Sequence, residues 1–484
     1  VIYKLIAKTL ANRLKEHLPD YIHPSQQAFI EGRRISNNII IAQEITHSFL
    51  LKSWKHKAFM LKIDLAKAFD KIEWCFIRRA LFRKGLHCHF IDLIMECISS
   101  ATFSVNINGQ PFGSFKGSRG IRQGCPLSPY LFILAVNELS LSMQEALNAN
   151  HFSSIQLGPG CPPIHSLMFA DDLIVCGRAD NNDANTIAFI INQFCAVSGQ
   201  TPNWNKSTIL FSKNTDDNLR NQIKNIFPAP NMDCNTTHLG HPLILPGKNR
   251  PAAYNFIIDK FRAKLNCYKA NRLSHAGRLT LIKSVFASLP VYYMSNILLS
   301  KSTINKLTSI IRKFWWTGID KDNASKPICF RAWDDICKPM HQGGLGIRDL
   351  YMMNKSMVAM TAWRVIKSPN SLVTKVLKAK YFHNSSIWKV NGNVPKSAFW
   401  SSILKVLPFI SKASHTQIAN GNTCIWTSPW CNDWDNIYDH LKPNLGIPCP
   451  KVVSDLWKPN CKSWDEDKIT IFLDDNFKRN ILQT

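Results

Sequence analysis

Apolar positions in this chain fall into helically spaced stripes and short contiguous runs. Near the start, Ile2, Leu5, Ile6, Leu10 and Leu14 recur at the spacing of one helix face. Phe59 to Ile63 is a β-like apolar run that ends at an acid, Asp64, and a helical pattern begins near Phe69. Two more short runs, Leu167 to Phe169 and Leu173 to Cys176, flank Ala170-Asp171-Asp172, which predicts a hairpin with two acids at or beside its turn. Ser128 followed by Pro129 reads as a cap and a first-turn proline. Behind them Tyr130, Leu131, Leu134, Ala135 and Leu139 give a long helix its apolar face. Helical and β-rich runs alternate over residues 1–240, an α+β signature. Residues 241–320 are mostly helical, with Leu279, Ile282, Val285 and Phe286 near period 3.6. Residues 321–484, rich in Trp, Asn, Pro and Ser, are mainly helical or irregular, with helical islands at Met352 to Val365 and Ser397 to Val406. Their pattern assigns them no role.

Composition narrows the class. The chain has 484 residues, 45% of them apolar and 19% charged, enough for two or three domains and too apolar for disorder throughout. Its 59 basic residues outnumber 33 acidic ones, a formal charge of +26. A polyanion relieves that self-repulsion, so nucleic acid is the leading partner and plain solubility the competing reading. A membrane span is excluded: no apolar run approaches the roughly 18 to 20 residues it needs. The charge concentrates in residues 241–320, which hold thirteen Lys or Arg, including Arg278 and Lys283, against two Asp. Helices apolar on one face and basic on the other suit a nucleic-acid clamp. The fifteen cysteines show no paired C-x-x-C spacing and no secretory signal is recognisable, so free thiols in a reducing nucleus or cytoplasm are expected. Cys424, Cys431, His440 and Cys449 make a four-ligand set on paper, but their spacing fits no zinc pattern.

The acids carry the chemistry. Asp64, at a strand end before a helix, is placed either to hold a cation or to cap. Asp171 and Asp172 stand between apolar runs where a tight turn prefers Asn-Gly or Asp-Gly. Crowding two negative charges there costs free energy and raises each pKa unless a cation sits between them. Such departures from the local rule are expected at functional sites, and a divalent metal is the natural answer. A solvated turn is the competing reading for the pair alone.

Six segments, in order, resemble the motifs of LINE-type (non-LTR) retrotransposon reverse transcriptases. They are Ser25 to Arg34 with Asn37-Asn38-Ile39; Asp64 with Phe69-Asp70; Gly120 to Phe132; Phe169 to Asp172; Ser198-Gly199 with Asn203 and Lys206-Ser207; and Thr237 to Pro242. The basic stretch and Gly343 to Leu350 also look like the plant members of that family. The resemblance implies a right-hand polymerase, with fingers and palm in 1–240, a basic helical thumb in 241–320 and a C-terminal region in 321–484. It implies an RNA-directed DNA polymerase that binds an RNA template, a DNA primer and deoxynucleoside triphosphates. Asp64, Asp171 and Asp172, aided by the backbone carbonyl of Leu65, would hold two Mg²⁺ ions, with Mn²⁺ as a substitute. Phe69 would exclude a 2′-hydroxyl, Gln123 and Gly124 would line the nucleotide pocket, and Lys206 would serve the pyrophosphate leaving group. Leu239 and Gly240 would form the primer grip. Arg33, Arg34, Arg278 and Lys283 would meet nucleic-acid phosphates.

The same resemblance implies a piece truncated at its N-terminus, with an endonuclease domain missing from this chain. An intron-encoded maturase is the rival enzyme, disfavoured by the LINE-like fingers. A non-enzymatic RNA-binding remnant is the rival from another class.

Overall fold

The computed structural model describes residues 2–245, 252–267, 273–318, 328–383, 385–390, 394–442, 448–459 and 461–484. Lys248, Arg250, Lys269, Arg272 and Asp320 of the basic stretch lie outside them. The chain divides into two compact units: 1–157 with 161–254, and 158–160 with 255–484. The division falls after Tyr254, so residues 241–254 of the expected thumb lie in the first unit and the rest lies in one unit with the C-terminal region.

The first unit runs α1 (Ile2–Tyr21), α2 (Ile35–Phe49), β1 (Ala58–Asp64), α3 (Ala68–Lys71), α4 (Trp74–Arg83), α5 (Cys88–Ser99), β2 (Thr102–Ile107), β3 (Gln110–Lys116), α6 (Ser128–Asn148), β4 (Ser166–Phe169), β5 (Asp172–Arg178), α7 (Asn181–Ser198), β6 (Thr208–Phe211), α8 (Asp217–Ile226), β7 (Thr237–His238) and β8 (His241–Pro242). Four strands form an antiparallel sheet in the order β4-β5-β1-β6. Alternate residues of a strand face opposite sides. Phe59, Leu61 and Ile63 of β1 enter one core with Leu173 and Val175 of β5 and with Leu131, Phe132, Leu134, Ala135 and Leu139 of α6. Lys62 and Asp64 occupy the other face and are half-buried. Emptying Phe132 or Phe59 to alanine would cost about 3–5 kcal/mol, because both are fully enclosed.

Two details differ from the pattern reading. In α1 the buried stripe is Ala7, Leu10, Ala11, Leu14 and Leu18, whereas Ile2, Leu5 and Ile6 are exposed. The alanines suit α1 to its packing against α5 and α6, and the first turn is left uncovered. Helix α6 begins at Ser128 itself, with Leu127 in the cap position and Pro129 in the first turn. Helix α7 is capped at both ends. Asp180 accepts from the Asp183 backbone N–H to start α7, and Gly199, at φ 73°, ends it.

The second unit is helical: α9 (Phe256–Cys267), α10 (His275–Leu281), α11 (Val291–Met294), α12 (Lys301–Thr317), α13 (Trp333–Cys337), α14 (Leu350–Lys367), α15 (Leu372–Tyr381), α16 (Ala398–Ala413), α17 (Glu466–Phe472) and α18 (Asp475–Leu482). A π-helical turn, Ile282–Phe286, follows α10 and buries Ile282 and Phe286. Helices α14 and α16 cover the two predicted islands. Near the C-terminus Ile425, Trp430, Trp434, Leu456, Ile469 and Phe477 build a separate apolar cluster. There His440 Nδ1 pairs with Asp474 at 2.8 Å, while Cys431 is buried and Cys449 exposed. Among the described residues, no helix is long and apolar enough to cross a membrane.

Candidate active site

The sheet register brings the first and last of the predicted acids together. Asp64, the last residue of β1, lies directly opposite Asp172, the first of β5. Phe169 pairs with Asp172, so Ala170 and Asp171 form a two-residue turn with Asp171 exposed at the strand ends. Ala170 sits at φ 54°, a left-handed conformation that costs a non-glycine residue of order 1 kcal/mol. Burial, with the charges of Asp171 and Asp64, raises the Asp172 pKa above 3.8, while Lys62, 3.7 Å away, pulls it down. Among the described residues, no three His, Cys, Asp or Glu side chains stand grouped as a metal site. The donor set nevertheless fits a divalent cation: three hard carboxylates at the paired ends of two strands, one of them destabilised by its like-charged neighbours.

Neighbouring segments are fastened to this strand end through backbone bonds. Asn203 N–H donates to the Asp64 carbonyl at 2.7 Å, and Asp64 N–H donates to Ser207 Oγ at 3.1 Å. Lys206, between them, is exposed. Leu65 is buried and bridges to Pro202. Phe69 of α3 lies flat on Phe132 of α6, ring centroids 4.6 Å apart and planes 13° apart. The loop before α6 closes over α3: Ile121 N–H donates to the Phe69 carbonyl and Gly120 N–H to the Ile72 carbonyl, each at 2.8 Å. A Cβ on Gly120, at φ 82°, would stand 2.6 Å from the Asp70 carbonyl oxygen, so both space and backbone demand glycine. Beside this closure is an open cleft of about 420 Å³ lined by Asp70, Trp74, Phe103, Arg119, Arg122 and Gln123. Gly124, also at positive φ, has open space where a side chain would be.

Leu239 and Gly240 form the turn of the β7–β8 hairpin, both at positive φ, 49° and 73°. The four expected phosphate-binding cations divide. Arg33 is spent on the chain itself: its guanidinium donates to the carbonyls of His23, Gln26, Ile22 and Pro19. Arg278 likewise donates to the Trp315 and Trp316 carbonyls at the end of α12. These bonds engage both terminal nitrogens of Arg33 and one of Arg278, in a fork with five N–H donors. Arg34 and Lys283 are exposed.

Four placements had no role assigned by sequence: Lys62 beside Asp172, Phe132 beneath Phe69, and Asn38 and Gln26 against the 168–170 segment. Gln26, Asn38 and Phe132 lie within the motif segments named from the sequence, and Lys62 carried the two-residue spacing that puts it on the Asp64 face.

Comparison with known proteins bears on the family. The sequence profile described as "Reverse transcriptase (RNA-dependent DNA polymerase)" matches residues 1–242. An Arabidopsis thaliana protein named as a ribonuclease H protein is 32% identical over 233 residues, 46% of this chain and 36% of that protein. An uncharacterized mitochondrial protein of Arabidopsis thaliana is 34% identical over 148 residues, 30% of this chain and 94% of its own length. The Pol polyprotein of a type-1 retrotransposable element R2 from Popillia japonica is 24% identical over 411 residues, 82% of this chain and 54% of the polyprotein. The chain belongs to the reverse transcriptase family, its first unit has that family's right-hand polymerase fold, and it is similar to the Pol polyproteins of retrotransposable elements. It spans about a third of the first relative and about half of the third.

Proposed function

We propose that this chain is the polymerase portion of a retrotransposon protein that extends a DNA primer along an RNA template with deoxynucleoside triphosphates. The observation that carries the reading is the pairing of Asp64 with Asp172, with Asp171 in the adjoining turn, at the accessible end of the central sheet. Asp64, Asp171 and Asp172 would hold two divalent ions, Mg²⁺ first, by small rotations of their side chains, with the Leu65 carbonyl assisting. Bound there, the ions supply activation of the primer 3′-hydroxyl and stabilisation of the leaving phosphate oxygen.

The protein's own groups have the remaining work of positioning. Phe69, braced by Phe132, stands as the wall that a ribonucleotide 2′-hydroxyl would strike. Gln123 and Gly124 border the nucleotide, and Arg119 and Arg122 in the same cleft offer cations to its phosphates. Lys206 neutralises or protonates pyrophosphate, and the Leu239–Gly240 turn holds the primer end. Arg34 and Lys283 remain as exposed cations for the nucleic-acid backbone.

The test is extension of a DNA primer on an RNA template by the full chain with Mg²⁺ and deoxynucleotides. The expected result is template-length product. Salt-sensitive RNA binding without any product would favour the remnant reading instead.

A further inference from the structure

Helix α2 lies between the two strained turns of the candidate site. Met168, at the foot of the catalytic turn, donates its N–H to the Ser25 carbonyl, and its own carbonyl accepts from Gln27 N–H and from Asn38 Nδ2 at 2.9 Å. Gln26 Oε1 accepts from the N–H of Ala170, the left-handed residue of that turn, and from Ala28 N–H, each at 3.0 Å. Asn38 spends its amide nitrogen on Met168, so its oxygen is the acceptor for His238 Nε2, 2.8 Å away. His238 immediately precedes Leu239, the left-handed residue of the other turn, and five residues beyond Asn38 in α2, Gln43 Nε2 donates to the Pro242 carbonyl. Gln26, Asn38 and His238 are all completely buried. Gln26 Nε2 and His238 Nδ1 are buried with no partner, so these polar groups are retained at a cost in stability.

We propose that Gln26, Asn38 and His238 are positioning residues that lock the Ala170–Asp171 turn and the Leu239–Gly240 turn to α2 in a fixed mutual register. None of the three reaches the reacting atoms. Each turn has a non-glycine residue in left-handed backbone, a conformation that persists only where its surroundings over-determine it. Asn38 is the shared member: its two amide ends serve the two turns, so neither can shift without loosening the other. Under the polymerase reading on which the mechanistic consequence rests, this register sets the distance from the primer end to the carboxylates, to which a transfer step is steeply sensitive.

The experiment measures backbone hydrogen exchange in the full chain for wild type, Asn38→Leu, His238→Leu, their double variant and His238→Gln. Exchange reports local opening directly and needs no activity. The lock predicts that either leucine variant speeds exchange in both segment 166–172 and segment 237–242. Strands β2 and β3 should be unaffected, the double variant should add little, and His238→Gln, whose amide can still donate to Asn38, should stay near wild type. Effects confined to each variant's own segment, additive effects in the double, or acceleration spread across the whole sheet would overturn it. If a leucine variant does not fold, Asn38→Asp takes its place, because a carboxylate can accept from His238 but cannot donate to Met168. Run beside this, primer extension should show kcat reduced about tenfold or more at little-changed nucleotide KM, again non-additively. Absence of extension by wild type would sink the polymerase reading while exchange still decides the lock.

Discussion

At the scale of single residues, the site is a balance of charge and space. Asp172 has a raised pKa, so its ionised form is more costly in the folded chain than in the unfolded one. Stability therefore falls as pH rises from the ordinary carboxylate value of 3.8 through the raised one. Asp172→Asn should melt above wild type at pH 7 in chelator, and the gap should narrow in acid and on adding Mg²⁺. Identical melting in chelator at pH 7 would show that the carboxylates do not burden the metal-free fold. Space matters equally at Phe69. Phe69→Val shortens the wall while leaving Phe132 in place, so ribonucleotide incorporation should rise, by about tenfold or more relative to deoxynucleotide. Unchanged discrimination, measured as a ratio of kcat/KM values, would remove Phe69 from that role.

Among the elements, legibility depended on whether the signal was local. The β1 run ending in Asp64 and the hairpin around Asp171 and Asp172 were readable because short contiguous apolar runs and misplaced acids are properties of neighbouring residues. That Asp64 faces Asp172 is a register between distant strands, which no local pattern encodes. The carbonyl partners of Arg33 and Arg278 were hidden for the same reason. An arginine among basic neighbours suggests phosphate, and only the folded chain reveals which carbonyls surround it. Two buried histidines give this scale its own prediction. Burial holds His165 and His238 at about 3, far below 6.5. The unfolded chain takes up protons that the folded chain refuses, so stability is full above pH 6.5 and is lost as pH falls towards 3. Replacing both by glutamine should flatten the fall in melting temperature between pH 6.5 and 4. An unaltered slope would assign the acid sensitivity to other groups.

For the whole molecule, net charge of +26 sets the terms of association. Binding to an RNA–DNA hybrid should be sequence-tolerant and fall roughly a thousandfold between 50 and 200 mM salt, as for a protein neutralising about six phosphates. Near-constant affinity over that range would mean that the basic surface is not what grips the hybrid. The two-unit division was less legible than the charge. Composition marked a change near 240, whereas compactness keeps the β7–β8 hairpin and Tyr254 with the sheet. Chain contacts, not residue types, set that boundary.

The measurement closest to the central claim is RNA-templated primer extension by wild type beside an Asp171→Asn, Asp172→Asn double variant, both shown to be folded and to bind hybrid equally. The account predicts product from wild type and loss of about a thousandfold or more in the variant, since the carboxylates act on the reacting phosphate and not on binding. Extension by the variant at a rate near that of wild type would contradict it.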